Sequence, residues 1–306
     1  MPLLTVEANK LSQSSLARGV IEEIIDRDAM FALMPFMFVN GKSFDYVREN
    51  QLSSAAFYDP NDAIVEDAAT FTRVSTQLRI LAGQVNVDQF LDSTQSDVQD
   101  QASVQIAQKA KAIQKLFRQS VATGDSTANP KQFDGLPNLT DASQVIDADD
   151  NGNAAGVTLN LSLMDKLGDQ IPGGPDAFIA HSAVIRAHRA LVRASGGTTP
   201  IDQGLKNLTG RDVPTHNGVP ILVNDFLAVD EVSGADTTTS VYAARFNIAD
   251  GLHGIYGGST SAGVAFDDLG TSETKDAHGY RLKWYVSLVL RSTKSLARLR
   301  GLTNIS

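Results

Sequence analysis

Gln132-Phe133-Asp134-Gly135-Leu136-Pro137-Asn138-Leu139 (QFDGLPNL) closes the longest helical pattern in the chain. Upstream of it Val98, Ala102, Ile106, Ala110, Ile113 and Phe117 recur at intervals of four, four, four, three and four residues. That spacing draws one apolar stripe on a helix. The intervening Gln, Lys, Asp and Ser leave the other faces polar, so the helix packs on one side only. It is expected over Asp97–Val121, about 37 Å long at 1.5 Å per residue. Gly124 is its stop. QFDGLPNL then reads as a compact turn that leads into a different kind of structure.

Before the helix the sequence spends some forty residues on an arm. Two strand-like runs, Ser43–Phe57 and Ala68–Gln84, flank the turn residues Tyr58-Asp59-Pro60-Asn61-Asp62. On the return run Thr72, Val74, Thr76, Leu78 and Ile80 fall on one face, with Arg73, Ser75, Gln77 and Arg79 on the other. An isolated two-stranded ribbon is marginal in water, and a long exposed edge invites pairing with another chain. Such an arm is expected to find its support on a neighbouring subunit. The candidate contact residues are the acidic tip, Asp59, Asp62, Glu66 and Asp67, and the sticky face, Val74, Leu78 and Ile80.

The remaining chain reads as mixed α and β. A helix is expected from Ser14 or Ser15 to Phe31, on a stripe of Leu16, Val20, Ile21, Ile24 and Ile25. An apolar connector with Pro35 then reaches the turn dipeptide Asn40-Gly41. From Gln132 to Ala265 a compact α/β region is expected. Its helices are Leu161–Leu167 and His181 or Ser182–Ala194, closed by Gly196-Gly197. Its strands are Ala177–Ala180, Val219–Asn224 and an alternating Thr239–Phe246. Glycines in Gly251–Gly258 suit a tight bend or loop. Leu282, Trp284, Val286, Leu288 and Leu290 alternate with Arg281, Lys283, Tyr285, Ser287, Val289 and Arg291 in the strongest strand of the chain. The strand-rich flanks have no obvious partner but each other, so the middle reads as inserted into a discontinuous second unit.

Bulk properties narrow the function. The 306 residues carry a net charge of −9, and the pI of about 5.0 lacks the basic signature of a nucleic-acid binder. DNA, if present, is enclosed rather than gripped. There is no cysteine, which removes disulfides, thiolate metal sites and cysteine nucleophiles. No apolar run approaches the roughly 18 residues of a membrane span, and no signal peptide is read at the N-terminus. The arm's tip is acidic and the final stretch basic (Arg281, Lys283, Arg291, Lys294, Arg298, Arg300), the pattern either of complementary subunit contacts or of two solvated faces.

Candidate chemistry is thin. Asp147-Ala148-Asp149-Asp150-Asn151-Gly152 matches the first half of a calcium loop, but position 12 is Thr158 where a bidentate Glu is required, so an acidic loop is expected. His181 and His188 lie seven apart without an HExxH motif and read as a helix start and a surface histidine. Neither a Walker A loop nor a G-x-S-x-G elbow occurs. No enzyme activity, cofactor or metal is expected.

In their order, these parts resemble the major capsid proteins of tailed bacteriophages with the Hong Kong 97-type fold. An N-terminal arm (IEEIIDRDAMFALMPF) is followed by the "E-loop" hairpin Phe44–Gln84 and the spine helix Asp97–Val121. Gly124–Leu139, with its FDGLPNL ending, leads into an axial domain containing HNGVPILVNDF (His216–Phe226), and YRLKWYVSLVLRSTKSLARLRGL (Tyr280–Leu302) is the final strand region. The resemblance implies an α+β fold divided into an arm (1–40), an E-loop (41–85), a discontinuous peripheral domain (86–137 plus 266–306) and an axial domain (138–265). It implies hexamers and pentamers of the chain tiling an icosahedral head shell around double-stranded DNA. Portal, separate scaffolding protein and possible decoration protein are the implied partners, with assembly in the host cytoplasm and residence in the virion. The competing readings are an encapsulin-like nanocompartment shell and a soluble α/β enzyme.

Overall fold

The computed structural model describes residues 30, 33–51, 53, 55–60, 62–64, 66–95, 101–149, 156–198, 200–210, 212–258 and 264–303. In chain order the elements are Phe36–Phe38 (β1), Ser43–Gln51 (β2), Thr70–Gln77 (β3), Arg79–Asp88 (β4), Gln89–Gln95 (α1), Gln101–Thr123 (α2), Leu136–Leu139 (α3) and Val145–Asp147 (β5). Leu161–Asp169 (α4), Ala177–Ala180 (β6), Ser182–Ala194 (α5), Gln203–Thr209 (α6), Thr215–His216 (β7) and Val219–Val223 (β8) follow. Glu231–Ser233 (β9), Asp236–Ala244 (β10), Leu252–Gly257 (β11), Val264–Thr271 (β12), Ala277–Leu290 (β13) and Leu296–Leu302 (β14) complete the chain. The helix expected over Ser14–Phe31 lies outside the described residues except for buried Met30.

The first sheet is built around β13. One of its edges pairs with β4 over Ala277–Val286. Its other edge pairs with β12 and then with β11, on which β1 lies parallel. Alternation sends Leu282, Trp284, Val286, Leu288 and Leu290 to the side of the long helix α2, where Ile113, Phe117 and Val121 meet them. The Phe117 ring lies 4.8 Å from Trp284, 5.5 Å from Phe133 and 6.2 Å from Phe36, centroid to centroid. Ala110, expected in the stripe, is exposed, because the apolar line continues from Ile113 and Phe117 to Val121 instead.

The second sheet runs β5-β14-β10-β6-β8-β7, with β9 also on β10. Its central strand β10 is buried on both faces. Tyr242 and Ala244 join the core that holds Phe117 and Trp284. Val241 and Ala243 join a second core with Leu163, Met164 and Leu167 of α4 and Val184 and Ile185 of α5. Burial on both faces makes a near-continuous apolar run, so the alternation expected for Thr239–Phe246 is absent. The core around Phe117 includes residues of both sheets.

QFDGLPNL acts as a plug at the end of α2. Gly124 N donates to Ser120 O at 2.8 Å, and Gly135 N donates to Gly124 O at 2.9 Å. A Cβ on Gly135 would sit 2.7 Å from the carbonyl oxygens of both Ser120 and Val121. Asp134 accepts from Ser126 N at 2.9 Å. The turn thereby delivers Phe133 and Leu136, both buried, into the core beside Phe117.

Several expectations are corrected. The hairpin's paired strands stop at Gln51 and Thr70, not at Phe57 and Ala68. The return run is two strands, because after Leu78 it leaves β2 and joins β13. Its apolar parity changes with the partner: Val74 and Leu78 face one way, while Leu81, Val85 and Val87 pair on the helix side of β13. Gly251–Gly258 contains strand β11 rather than a bend, and Gly254 is required because a Cβ would fall 2.3 Å from the Phe36 ring. The expected final strand Tyr280–Leu302 divides between sheets: β13 belongs to the first and β14 to the second. His188 is buried, not a surface histidine.

Candidate assembly surface

The arm leaves the first sheet where Leu78 N donates to Lys42 O at 2.9 Å. Gly41 makes the preceding turn at φ +128°, a conformation that glycine adopts without steric cost. From there β2 and β3 pair in antiparallel register, from Ser43 opposite Gln77 to Gln51 opposite Thr70.

The base of the arm is seated on its own chain. Phe44, Tyr46, Val74 and Leu78 cover Val39, Ile255 and Val289 on the face of the sheet opposite α2. The Tyr46 hydroxyl donates to Leu290 O at 2.8 Å. Arg48 donates to Arg291 O at 2.9 Å and to Leu290 O at 2.7 Å. The Arg291 guanidinium lies over the Phe44 ring at 5.2 Å. Charge-assisted bonds of this kind are the strong ones, and together they aim the arm. Across the ladder Arg73 bonds Asp45 at 2.6 Å. The Ser75 hydroxyl and Arg73 hold the Asp45 carboxyl below the usual carboxylate range.

Beyond the base the described residues give the arm no cover. Val47, Phe71 and Ile64 are exposed, Ile64 to 80%, and Phe57 is fully exposed. The predicted acids Asp59, Asp62, Glu66 and Asp67 are all exposed at the outer end. Asp62 closes the turn by accepting from Asp59 N at 2.9 Å, and Asp67 accepts from Ala68 N at 2.9 Å. No Lys or Arg occurs from Gln51 to Phe71, so this end is purely acidic. Val74 and Leu78 are half-buried against the arm's own sheet, whereas Ile80 on the same side is 70% exposed. The apolar knobs Phe57, Ile64 and Phe71 were not among the predicted contacts. The signal for them was present as bulky apolar residues inside a segment of turn chemistry and acid.

The basic residues of the final stretch are largely engaged within the chain. Lys283 pairs with Asp267, and Arg281 donates to Gln84 at 3.0 Å. Arg298 pairs with Glu231 at 2.9 Å and donates to Ser240 at 3.0 Å. Arg300 grips Asp147, the first residue of the calcium-like run, and holds that carboxyl low; 150–155 lie outside the described residues.

Two of the histidines, His188 and His216, pair with each other. His181 caps α5, accepting from Ala183 N at 3.2 Å. His188 Nε2 meets His216 Nδ1 at 3.1 Å, and His216 Nε2 meets Asp165 at 2.9 Å. Burial lowers the His188 pKa to about 4. Among the described residues no group of three or more His, Asp or Glu is placed to hold a metal. None of the described helices is long and apolar enough to cross a membrane.

No protein-family model matches the sequence, and no curated protein matches it. Solved structures do match in shape. The holo-SrpI encapsulin complex from Synechococcus elongatus PCC 7942 is 17% identical, with a TM-score of 0.70 over 96% of this chain and 97% of that one. The capsid of a native GTA particle is 14% identical, with a TM-score of 0.62 over 90% of each chain. The capsid of cyanophage A-1(L) is 12% identical, with a TM-score of 0.63 over 96% of this chain and 99% of that one. The fold is the Hong Kong 97 type. In its terms β2 and β3 form the E-loop and α2 is the spine helix. The likeness spans nearly the whole chain.

Proposed function

We propose that the chain is the repeating subunit of a closed protein shell, the head shell that encloses the genome of a tailed double-stranded DNA phage. The observation that carries this reading is the E-loop. Its base is clamped by Tyr46 and Arg48, while its outer end presents Phe57 and Ile64 uncovered beside four carboxylates. Isolated exposed apolar residues are ordinary, but a directed arm of them marks an interaction site. The near-complete likeness in shape to the GTA and cyanophage capsids supports the same reading.

In this reading pentamers and hexamers of the chain tile the shell. The E-loop lies on the adjacent subunit, with Asp59, Asp62, Glu66, Asp67, Val74, Leu78 and Ile80 as contact candidates. The peripheral domain sits toward the capsomer edge and the axial domain toward its centre. The role is structural and not catalytic, with DNA enclosed without sequence-specific binding, as the charge of −9 favours. Portal, separate scaffolding protein and possible decoration protein complete the virion, assembled in the host cytoplasm. A second reading, an encapsulin-like nanocompartment, is favoured by the TM-score of 0.70 to the SrpI encapsulin complex. Particles from the native source separate the two: packaged DNA supports the phage head, an enclosed protein cargo the nanocompartment.

Deleting Ala55–Asp67 tests the shell reading. The expected product is a folded, soluble subunit that closes no shells. Normal particles from that deletion in the electron microscope would refute the E-loop's role.

A further inference from the structure

An apolar groove of about 650 Å³ opens beside the base of the E-loop. Phe38, Lys42, Leu78, Ile80, Gly257 and Tyr285 line it. Ile80 is 70% and Phe38 53% exposed there, so the groove presents apolar surface to whatever lies outside. Gly257 keeps it open on one side, since a Cβ at that position would fall 2.7 Å from the Leu78 side chain. Ile80 and Tyr285 are direct cross-strand partners, so the wall is rigid sheet rather than loop.

The same chain carries apolar side chains of matching chemistry that lie outside its own groove. The ladder from Ser43 to Gln51 puts its far end roughly 27 Å from the groove, at about 3.4 Å per residue. Phe57 lies six residues past Gln51, and Ile64 six residues before Thr70. Six fully extended residues reach back at most about 21 Å. Phe57 is fully exposed and Ile64 80% exposed, so neither fills the groove of its own chain. The charges also match: the outer end is purely acidic, and Lys42 on the groove has no ion pair among the described residues.

We infer that the groove at Phe38, Ile80 and Tyr285 is the seat for the Phe57–Ile64 end of the E-loop of a second copy of this chain. The inference rests on the shell reading and deepens it by naming the receiving surface. A knob at one end and a socket at the other make a head-to-tail contact, which generates closed rings when the rotation closes. Each copy gives one E-loop and receives one, so a capsomer has no unfilled groove. Asp59, Asp62, Glu66 and Asp67 would then lie around the neighbour's Lys42 and set register more than strength.

Two variants test it. Ile80→Asp spoils the groove and leaves the knob. Phe57→Asp combined with Ile64→Asp spoils the knob and leaves the groove. All three positions are exposed, and circular dichroism and thermal unfolding should match the wild type. Each variant alone should need about tenfold or more protein to form particles, the effect of losing roughly 1.4 kcal/mol per contact. Mixed one to one, the variants should form a discrete pair by light scattering, because only one intact knob meets one intact groove. Normal particles from either variant, or no pairing in the mixture, overturn the groove assignment while wild-type shells keep the shell reading. A wild-type chain that stays monomeric overturns both.

Discussion

Phe117→Ala strikes the point where the long helix, the plug and the first sheet meet. Phe117 is 0% exposed. Its ring contacts Trp284 of β13, Phe133 of the plug and Phe36 of β1, with centroids at 4.8, 5.5 and 6.2 Å. Removing the side chain loses its burial, about 1.5–3 kcal/mol. The lost ring contacts add about 0.5–1.5 kcal/mol per favourable pair. The partners belong to three different elements, so they close over the void poorly and a cavity remains. The expected loss is about 3–5 kcal/mol. Urea unfolding of the unassembled subunit, followed by tryptophan fluorescence, measures it, and Trp284 as the sole tryptophan places the probe against the cavity. Leu116→Ala, one residue earlier and 42% exposed, should change stability by less than about 1 kcal/mol. A Phe117→Ala loss below about 1 kcal/mol, equal to the Leu116 control, would mean that this helix face is not core.

Three further outcomes follow from the geometry. His188 has a depressed folded pKa of about 4, so the unfolded chain, titrating near 6.5, takes up that proton first. Stability should be flat above pH 6.5 and fall by about 3 kcal/mol as the pH drops to 4, and His188→Gln should flatten that interval in urea titrations at stepped pH; an unchanged acid slope would remove His188 as the cause. Arg48→Ala removes the bonds to Leu290 O and Arg291 O, and hydrogen exchange of the Ser43–Gln51 amides should accelerate about tenfold while β13 is unaffected; exchange as slow as wild type would show that the arm is held without the clamp. Gly135→Ala forces a methyl group against two backbone oxygens at 2.7 Å and should cost about 1–3 kcal/mol in thermal unfolding, whereas an unaltered melting temperature would show that the plug yields.

Much of the fold was legible because periodicity reports burial directly. The Ile106–Ile113–Phe117 stripe and the Trp284 strand carry the period that a packed face imposes, and Ala177–Ala180 reads as a continuous apolar run because both of its faces are buried. Ala110 misled because a small apolar residue is neutral on either face of a helix. β10 misled because a strand buried on both sides shows no period. The change of partner at Leu78 was written in the sequence as two overlapping parities, Val74 and Leu78 against Leu81, Val85 and Val87. A single alternation read through them hides the switch. His188 was misplaced because a histidine's environment depends on a residue 28 positions away, His216.

The long one-sided helix, the glycine plug after it, the arm with an acidic end and the absence of cysteine chemistry are all readable from residue order alone. These are local matters of spacing, turn residues and composition, and they need no knowledge of what lies across the fold. Packing across the fold sets which sheet receives each strand, so that β13 and β14 part company after Leu290. The same packing seats the arm's base on Ile255 and Val289, pairs Lys283, Arg298 and Arg300 with internal carboxylates, and opens a groove at Ile80. Those outcomes rest on contacts between residues far apart in the chain, and no local pattern records a partner's position.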